Sequence, residues 1–489
     1  MLRKIFCYGT FAIIIVLLQL ILIIYAVTAG AAVPAVGFFY RFLTYVLVFY
    51  IINQPENSGY KLCWIVLMLL FPLYGGFAYL LFSRRHSVNS IHSRIRHYLM
   101  TEVRKIKGIN PDSGIQKYLS GAGFPLCECG ESHFYPTGEE LFCEMLKKIS
   151  EAEKFIYIEF FIIADGKAWS MTEDLLARKA AEGVKIRIIA DGAGCLFVKP
   201  RDFKKRLKKI GAEYAEFNPV SLRATGKVNY RNHRKILVVD GKYAFCCGIN
   251  ISDEYMNFRK RFGRWKDSGV MVGGKAAESF TAMFLGMWNY LTKSNDSFCM
   301  TDCKDEKPCL AQPFSDSPLD NSPTGLRTYL SLINSAEKSI YLTTPYLVCD
   351  DEMLSSLIFA AERGVKVKLV TPGIPDKKYV YTMTRSFYRP LIEAGVEVYE
   401  YSPGFIHSKT LVADEKICVV GTINFDYRSM FLLFECACIF YGGNVTEEVA
   451  VDFNKTLNSC NFITLSNAAE TRLVVRIVRC FLKLFAPLL

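Results

Sequence analysis

Three stretches near the start of the chain are almost wholly apolar: residues 11–31 (FAIIIVLLQLILIIYAVTAGA), 37–52 (GFFYRFLTYVLVFYII) and 62–82 (LCWIVLMLLFPLYGGFAYLLF). The first carries no charge, and a helix of about 20 such residues crosses the ~30 Å hydrocarbon core of a bilayer. The middle stretch is shorter and contains Arg41, so it reads as re-entrant, interfacial or a third span. Arg3 and Lys4 precede the first stretch as in a signal peptide, but its apolar run is too long for one and two more follow at once. The pattern predicts a multi-pass transmembrane anchor over residues 1–83, with two or three spans. Arg84, Arg85, Arg94, Arg96, Arg104, Lys105 and Lys107 follow the last stretch, and basic flanks of this kind stay on the cytoplasmic face.

From about residue 110 the pattern is that of a soluble body, and it repeats. AEKFIYI at 152–158 matches AEKSIYL at 336–342, and AAEGVKIRIIA at 180–190 matches AAERGVKVKLV at 360–370. In the second pair a helix rich in Ala and Glu ends at a Gly, suited to a left-handed helix stop, and a run of alternating charged and branched residues follows as a strand. Strand, helix and strand, twice over, predict a duplicated α/β body with mixed, largely parallel sheets flanked by helices. Residues 291–324, rich in Ser, Asp, Asn, Pro and Lys, read as a linker between the halves.

At 489 residues the chain suits two or three folded units, and 51% apolar with 22% charged residues excludes a disordered polymer. The net charge of +12 favours an anionic partner without choosing between nucleic acid and acidic lipid. Seventeen cysteines cannot all pair. The close sets Cys127/Cys129 and Cys299/Cys303/Cys309 lack the spacing of a zinc site, so the expectation is reduced thiols facing a reducing compartment.

A third repeated pair carries chemistry. HRKILVVDGKYAFCCGIN at 233–250 matches HSKTLVADEKICVVGTIN at 407–424, placing His233, Lys235, Asp240 and Asn250 at the same offsets as His407, Lys409, Asp414 and Asn424. With six histidines in the chain, composition alone predicts roughly 0.02 matches to H-x-K-x-x-x-x-D. Side chains at i and i+2 of a strand share a face, so each His and Lys point together while Arg234 or Ser408 points away. Two imidazoles and two ammoniums around one phosphorus suit phosphodiester exchange, with Asn250 and Asn424 as amide donors to the same oxygens. The motif nominates His233, Lys235, Asp240, His407, Lys409 and Asp414 as the catalytic set. The odd offset of seven turns the two aspartates from the cleft and favours a structural hydrogen-bonding role for them. The remaining histidines, His86, His92, His97 and His133, form no metal-spaced cluster, and the scheme calls for no metal or cofactor.

The duplicated motif resembles the phospholipase D superfamily, and NYRNHRKI (229–236), GINISDEY (248–255), RWKDSGV (264–270), EAGVEVYEYSPGFIHSKTLV (393–412) and GTINFDYRSMFLLFE (421–435) resemble its bacterial cardiolipin synthase branch. The resemblance implies tandem phospholipase D-like halves, over 126–290 and 325–465, behind a basic juxtamembrane linker at 84–125. It also implies His233 as nucleophile, His407 as acid and base, and Asp267 and Glu435 as the carboxylates that orient the imidazoles. Cys247 and Cys246 stand where the family usually has Gly and Thr, respectively, and Leu433 stands where Asn is common. The implied reaction is reversible phosphatidyl transfer between two phosphatidylglycerol molecules, on an anionic phospholipid membrane and without nucleic acid. A membrane phospholipase D or other head-group transferase is the alternative enzyme, and a cationic lipid-binding scaffold the alternative without chemistry. Arg472, Arg476, Arg479 and Lys483 recur on one helical face within 466–489, the pattern of an amphipathic helix on anionic lipid. The run Lys204–Lys209 reads as a solvated helix face. Oligomeric state leaves no mark in the sequence.

Overall fold

A computed structural model of the chain describes residues 34–54, 56–71, 75–76, 78–79, 89–220, 230–298, 309–319, 322–469 and 472–488, with Tyr25. The span expected at 11–31 lies outside these apart from Tyr25, as do residues 72–74, 77 and 80–82 of the stretch at 62–82. Contacts divide the chain into two units, residues 1–89 with 480–489 and residues 90–479, each taken by itself.

In the first unit Pro34–Ile52 and Ser58–Leu70 are helical. The Asn57 side chain accepts from the Gly59 N–H (2.9 Å), capping the second helix, and Lys61 donates to the Ile52 and Gln54 carbonyls (3.1 and 2.9 Å) where the first ends. Trp64 packs edge-on against Tyr60 and Tyr79, while Phe38, Phe39, Phe42 and Phe49 are exposed. No helix among the described residues is long and apolar enough to cross a membrane.

The second unit opens with helices Asn89–Val103 and Gly114–Ala122, within the stretch expected as a basic linker. Its first strands are β1 (Cys127–Cys129), β2 (His133–Tyr135), β3 (Phe155–Phe160), β4 (Lys185–Asp191), β5 (Glu213–Phe217), β6 (Arg231–Asn232), β7 (Ile236–Val239), β8 (Tyr243–Cys247) and β9 (Gly269–Gly273). Seven of them form a sheet in the order β2-β9-β8-β7-β3-β4-β5. The second half supplies β10 (Cys309–Asp316), β11 (Ser339–Thr343), β12 (Lys366–Pro372), β13 (Glu397–Tyr401), β14 (Thr410–Ala413), β15 (Ile417–Gly421), β16 (Leu433–Tyr441) and β17 (Cys460–Ile463). Its sheet runs β1-β10-β16-β15-β14-β11-β12-β13-β17.

The repeat read in the sequence is the parallel part of each sheet. Helix Lys167–Ala181 connects β3 to parallel β4, and Asp351–Glu362 connects β11 to parallel β12. Gly183 and Gly364 stop these helices with φ of +90° and +88°, a conformation that costs a residue with a Cβ. The expectation of largely parallel sheets is corrected, however. Beyond β3–β4–β5 and β11–β12–β13, the neighbours within each sheet order are antiparallel. The H-x-K-x-x-x-x-D segment itself enters a hairpin, β7–β8 or β14–β15, and a hairpin needs no crossover helix.

Two further expectations give way. The stretch 291–324 is not linker throughout: β10 lies between β1 and β16, so this segment is part of the second sheet and ties a strand from the start of the body into it. The reduced-thiol expectation fails for Cys129 and Cys309, which form a disulfide across the β1–β10 ladder with their Cα atoms 5.3 Å apart. They face each other in register, within disulfide reach. Their separation of 180 residues hides the pairing from any spacing argument. Toward the C-terminus, helix Leu473–Phe485 leaves Leu473, Val474, Ile477, Val478 and Phe481 exposed.

Candidate functional site

Each H-x-K segment lies against a strand-like segment from the other half. Short β6 pairs in parallel with β16, Arg231 opposite Leu433 and Asn232 opposite Phe434, and the His233 N–H donates to the Phe434 carbonyl (2.8 Å). In the mirror arrangement Ile406 bridges Lys266 in parallel, and the His407 N–H donates to the Lys266 carbonyl (2.6 Å). The next residue on each side is the one nominated by the sequence. His233 therefore meets Glu435, its Nδ1 2.8 and 2.9 Å from the two carboxylate oxygens. His407 meets Asp267, Nδ1 to Oδ2 at 2.6 Å. Asp267 and Glu435 thus have the orienting positions the resemblance implies, but each serves the imidazole of the opposite half.

The supporting groups differ between the halves. Thr422 donates its hydroxyl to Glu435 (2.5 Å). At the corresponding position stands Gly248, where a Cβ would collide with the Asp267 carboxylate. Sequence alignment of the halves exposes the Thr–Gly difference but not its reason, which is the closer approach of the shorter acid. Aromatic rings wall the imidazoles: Phe161 lies 5.2 Å from His233, and Trp265, Tyr255 and Phe405 lie 5.3, 5.4 and 5.7 Å from His407. None of these rings was nominated by the sequence, because isolated aromatics carry no motif.

Lys235 and Lys409 follow their histidines inward and are 0% and 1% exposed. Lys235 donates to the His233 carbonyl (2.6 Å); Lys409 donates to the His407 carbonyl, and its Nζ lies 2.8 Å from the ring Nδ1. Arg234, between the first His and Lys, turns away and pairs with buried Glu159 (Nη2 to Oε1 2.8 Å), although residues 233–235 lie between β6 and β7 rather than in a strand. Burial strips water from these charges. It pushes His233 well below its ordinary range, helped by the ammoniums of Lys235 and Lys409 and by His407. Burial and Lys409 push His407 down to about 4, with Asp267 opposing. Burial lowers Lys235, and brings Lys409 down to about 7. Glu435 is raised by burial, against the pull of Lys235 and Thr422. The charges of one half register on the imidazole of the other, so the two sets act on one space. That space is buried and sets two lysine amines beside two imidazoles of lowered basicity, a setting suited to binding an anionic diester.

Asp240 and Asp414 are corrected as members of the catalytic set. Both sit at hairpin turns with φ of +56° and +54°. Asp240 accepts from the backbone N–H groups of Glu153, Lys154 and Phe155 (2.8, 2.7 and 2.8 Å), and Asp414 from those of Glu337, Lys338 and Ser339. Each pins the start of β3 or β11, and the AEK leads of the repeat supply the amides. The structural reading from the odd offset holds. Asp414→Asn is expected to lower stability by about 1–3 kcal/mol, since an amide cannot accept this whole set of N–H groups. Thermal unfolding should register that loss while the folded fraction keeps its turnover.

Asn250 and Asn424 are also placed differently from each other. Asn250 accepts from the Ile162 N–H (3.0 Å) and donates to the Tyr255 hydroxyl (2.7 Å), fixing a ring of the His407 wall. Asn424 hydrogen-bonds Asp426, and its Oδ1 is buried without a partner. Its amide is the freer of the two.

Two α/β halves that complete each other's histidine–carboxylate pairs define a duplicated phospholipase D-type body. The chain belongs to the family described as cardiolipin synthase, PLD-like domain, whose model matches residues 145–288 and 329–457; residues 42–84 match a phospholipase D–nuclease N-terminal model. A cardiolipin synthase of Alkalihalophilus pseudofirmus is 31% identical over 462 residues, covering 91% of each chain. One of Clostridium perfringens is 32% identical over 464 residues (89% of this chain, 95% of that one), and an uncharacterized Streptococcus mutans protein is 37% identical over 459 (90% and 99%). The crystal structure of a phosphatidylserine synthase from Haemophilus influenzae shares the fold, with a TM-score of 0.59 at 14% identity over 77% of this chain and 98% of that one.

Proposed function

We propose that the protein is a cardiolipin synthase that joins two phosphatidylglycerol molecules and releases glycerol through a phosphatidyl-His233 intermediate. The reciprocal pairing of His233 with Glu435 and His407 with Asp267 around two buried lysines carries this reading. Glu435 holds the proton on Nδ1, leaving the Nε2 lone pair to attack phosphorus. An N–P bond forms as the bond from phosphorus to the glycerol oxygen breaks, and His407, which must first take up a proton as the diester anion enters, gives that oxygen its proton. In the return step His407 takes the proton of a second phosphatidylglycerol hydroxyl, whose oxygen displaces His233. Lys235 and Lys409 neutralise the phosphoryl oxygens throughout, and Asp267 stabilises the His407 imidazolium. Water as acceptor would give phosphatidic acid by the same route, so burial of the pair favours the alcohol.

The apolar segments at 1–83 hold the body at the bilayer, and the exposed apolar residues of helix Leu473–Phe485 supply an interfacial contact. The basic residues from Arg84 to Lys107 support a cytoplasmic body. The Cys129–Cys309 disulfide argues against it, since such bonds persist in oxidising compartments.

Thin-layer analysis of labelled phosphatidylglycerol incubated with the enzyme, with and without a chelator, tests the reaction. Cardiolipin and glycerol in equal yield under both conditions is the expected result. Phosphatidic acid as the main lipid product would replace the synthase reading with a phospholipase, and loss of activity on chelation would overturn the metal-free scheme.

The depressed Lys409 adds a break near pH 7 to a pH dependence that His407 also shapes. The profile of kcat/KM reports groups of the free enzyme. Lys409 must be charged to meet the diester, and it loses its proton as pH rises through about 7. We expect the fall of kcat/KM to steepen by about a further tenfold per pH unit above that point. A bound anion favours the protonated amine, so the fall in kcat should begin at higher pH. Lys409→Arg, whose guanidinium stays charged, should remove this break near pH 7 whatever its absolute rate.

A further inference from the structure

The rings that wall the buried site lead, through chain neighbours and local contacts, to a strip of exposed apolar and basic side chains that the reaction does not use. At one end Gly194 abuts Phe161, the ring that walls His233, and the loop continues into exposed Phe197 (63%). The Val198 carbonyl accepts from the Asp165 N–H (2.8 Å), and two residues on, Lys167 lies over the Phe258 ring at 4.5 Å. Phe258 is 42% exposed and opens the run Arg259, Lys260, Arg261, each exposed. This loop reaches the second half at the Gly263–Gly404 bridge, where the Ile374 N–H donates to the Gly404 carbonyl (3.3 Å). Ile374 and Tyr379 are 40% and 49% exposed, with Lys377 and Lys378 exposed between them. Lys377 covers the Tyr346 ring (4.8 Å), which packs on Phe405 and so on the wall of His407. The strip thus starts behind one imidazole and ends behind the other.

We propose that this strip is a membrane-docking surface by which the catalytic body itself seats on anionic lipid, separately from the N-terminal anchor. Exposed aromatic and branched side chains next to unburied Lys and Arg match the interface between acyl chains and phosphate head groups, where the ring inserts and the cation reaches up to the phosphates. The occupant is a lipid surface because exposed apolar and cationic groups stand beside one another in each segment; a wholly polar polyanion would leave Phe197 and Phe258 in water. The proposal rests on the phosphatidyl-transfer reading for its purpose, since seating the strip lets a lipid head group enter between the histidines while its acyl chains stay in the bilayer.

The test uses the full-length Phe197→Trp protein reconstituted in vesicles whose acyl chains carry bromine, a quencher of indole emission. Phosphatidylserine serves as the anionic lipid because it is not the proposed substrate. The emission added over wild type should fall by about half in phosphatidylcholine–phosphatidylserine vesicles and stay unquenched in phosphatidylcholine alone. Absence of quenching on the anionic vesicles, or equal quenching on both, overturns the proposal. A second variant, Phe197→Ser with Phe258→Ser, should lose about tenfold in kcat/KM on vesicular phosphatidylglycerol and nothing on a monomeric short-chain analogue. Equal loss on both substrates would also overturn docking. A wild-type protein inert toward phosphatidylglycerol would sink the proposed function, while the quenching result still decides the docking surface.

Discussion

His233→Ala is expected to lower phosphatidyl transfer by about 10⁴- to 10⁶-fold, the scale on which enzymes lose rate when a covalent nucleophile is removed. His407→Ala should be as damaging toward phosphatidylglycerol, so overall activity does not separate the two roles. A diester with a p-nitrophenolate leaving group does, because that group departs without a proton. His407→Ala should then release one equivalent of p-nitrophenol per enzyme in a burst and stall, the adduct waiting on a base to activate the incoming alcohol. His233→Ala should give no burst. A burst from His233→Ala and none from His407→Ala would exchange the roles. No burst from either, with wild type active, would point to direct displacement without an adduct. The motif spacing is identical in both halves and so cannot order them. The surroundings differ: Glu435 receives a hydroxyl from Thr422, whereas Asp267 approaches a bare glycine and His407 is crowded by Lys409.

What the sequence made legible follows from local geometry. Alternation along the motif put His and Lys on one side and Arg234 on the other, and the side chains lie so, although 233–235 and 407–409 fall outside the strands; Asp240 and Asp414 turn away through left-handed turns past the strand ends rather than through parity. The left-handed stops at Gly183 and Gly364 were readable because the chemistry of a helix end is confined to a few residues. The pairing of His233 with Glu435 and of His407 with Asp267 was not readable. The partners are 202 and 140 residues apart, on strands from opposite halves, and no periodicity spans such a distance. The same applies to Cys129 and Cys309 and to the insertion of β10 beside β16. Antiparallel pairing was missed for a related cause: the helix-rich repeats announce themselves, whereas the hairpins that carry the motif leave only a short turn.

Exchange of carboxylates between halves has its own large consequence. Glu435→Gln keeps the volume and an acceptor for Thr422, but it removes the anion that holds the proton on His233 Nδ1. The amide accommodates either tautomer, and the loss of a His-orienting carboxylate at a catalytic site is worth about 10⁴-fold. It also deprives Lys235 of a nearby countercharge, a cost of about 3–5 kcal/mol where one buried partner is removed, so rates must be taken per folded molecule. The burst assay locates the damage. Glu435→Gln should slow the p-nitrophenol burst, because that step depends on His233, although Glu435 lies in the sequence of the other half. Asp267→Asn should leave the burst rate near that of wild type and instead slow turnover with phosphatidylglycerol, where His407 must hold and release a proton. Under pairing within each half the two variants would exchange these signatures. A slow burst from Asp267→Asn beside a normal one from Glu435→Gln would therefore refute the reciprocal arrangement, and with it the account of why neither half could work alone.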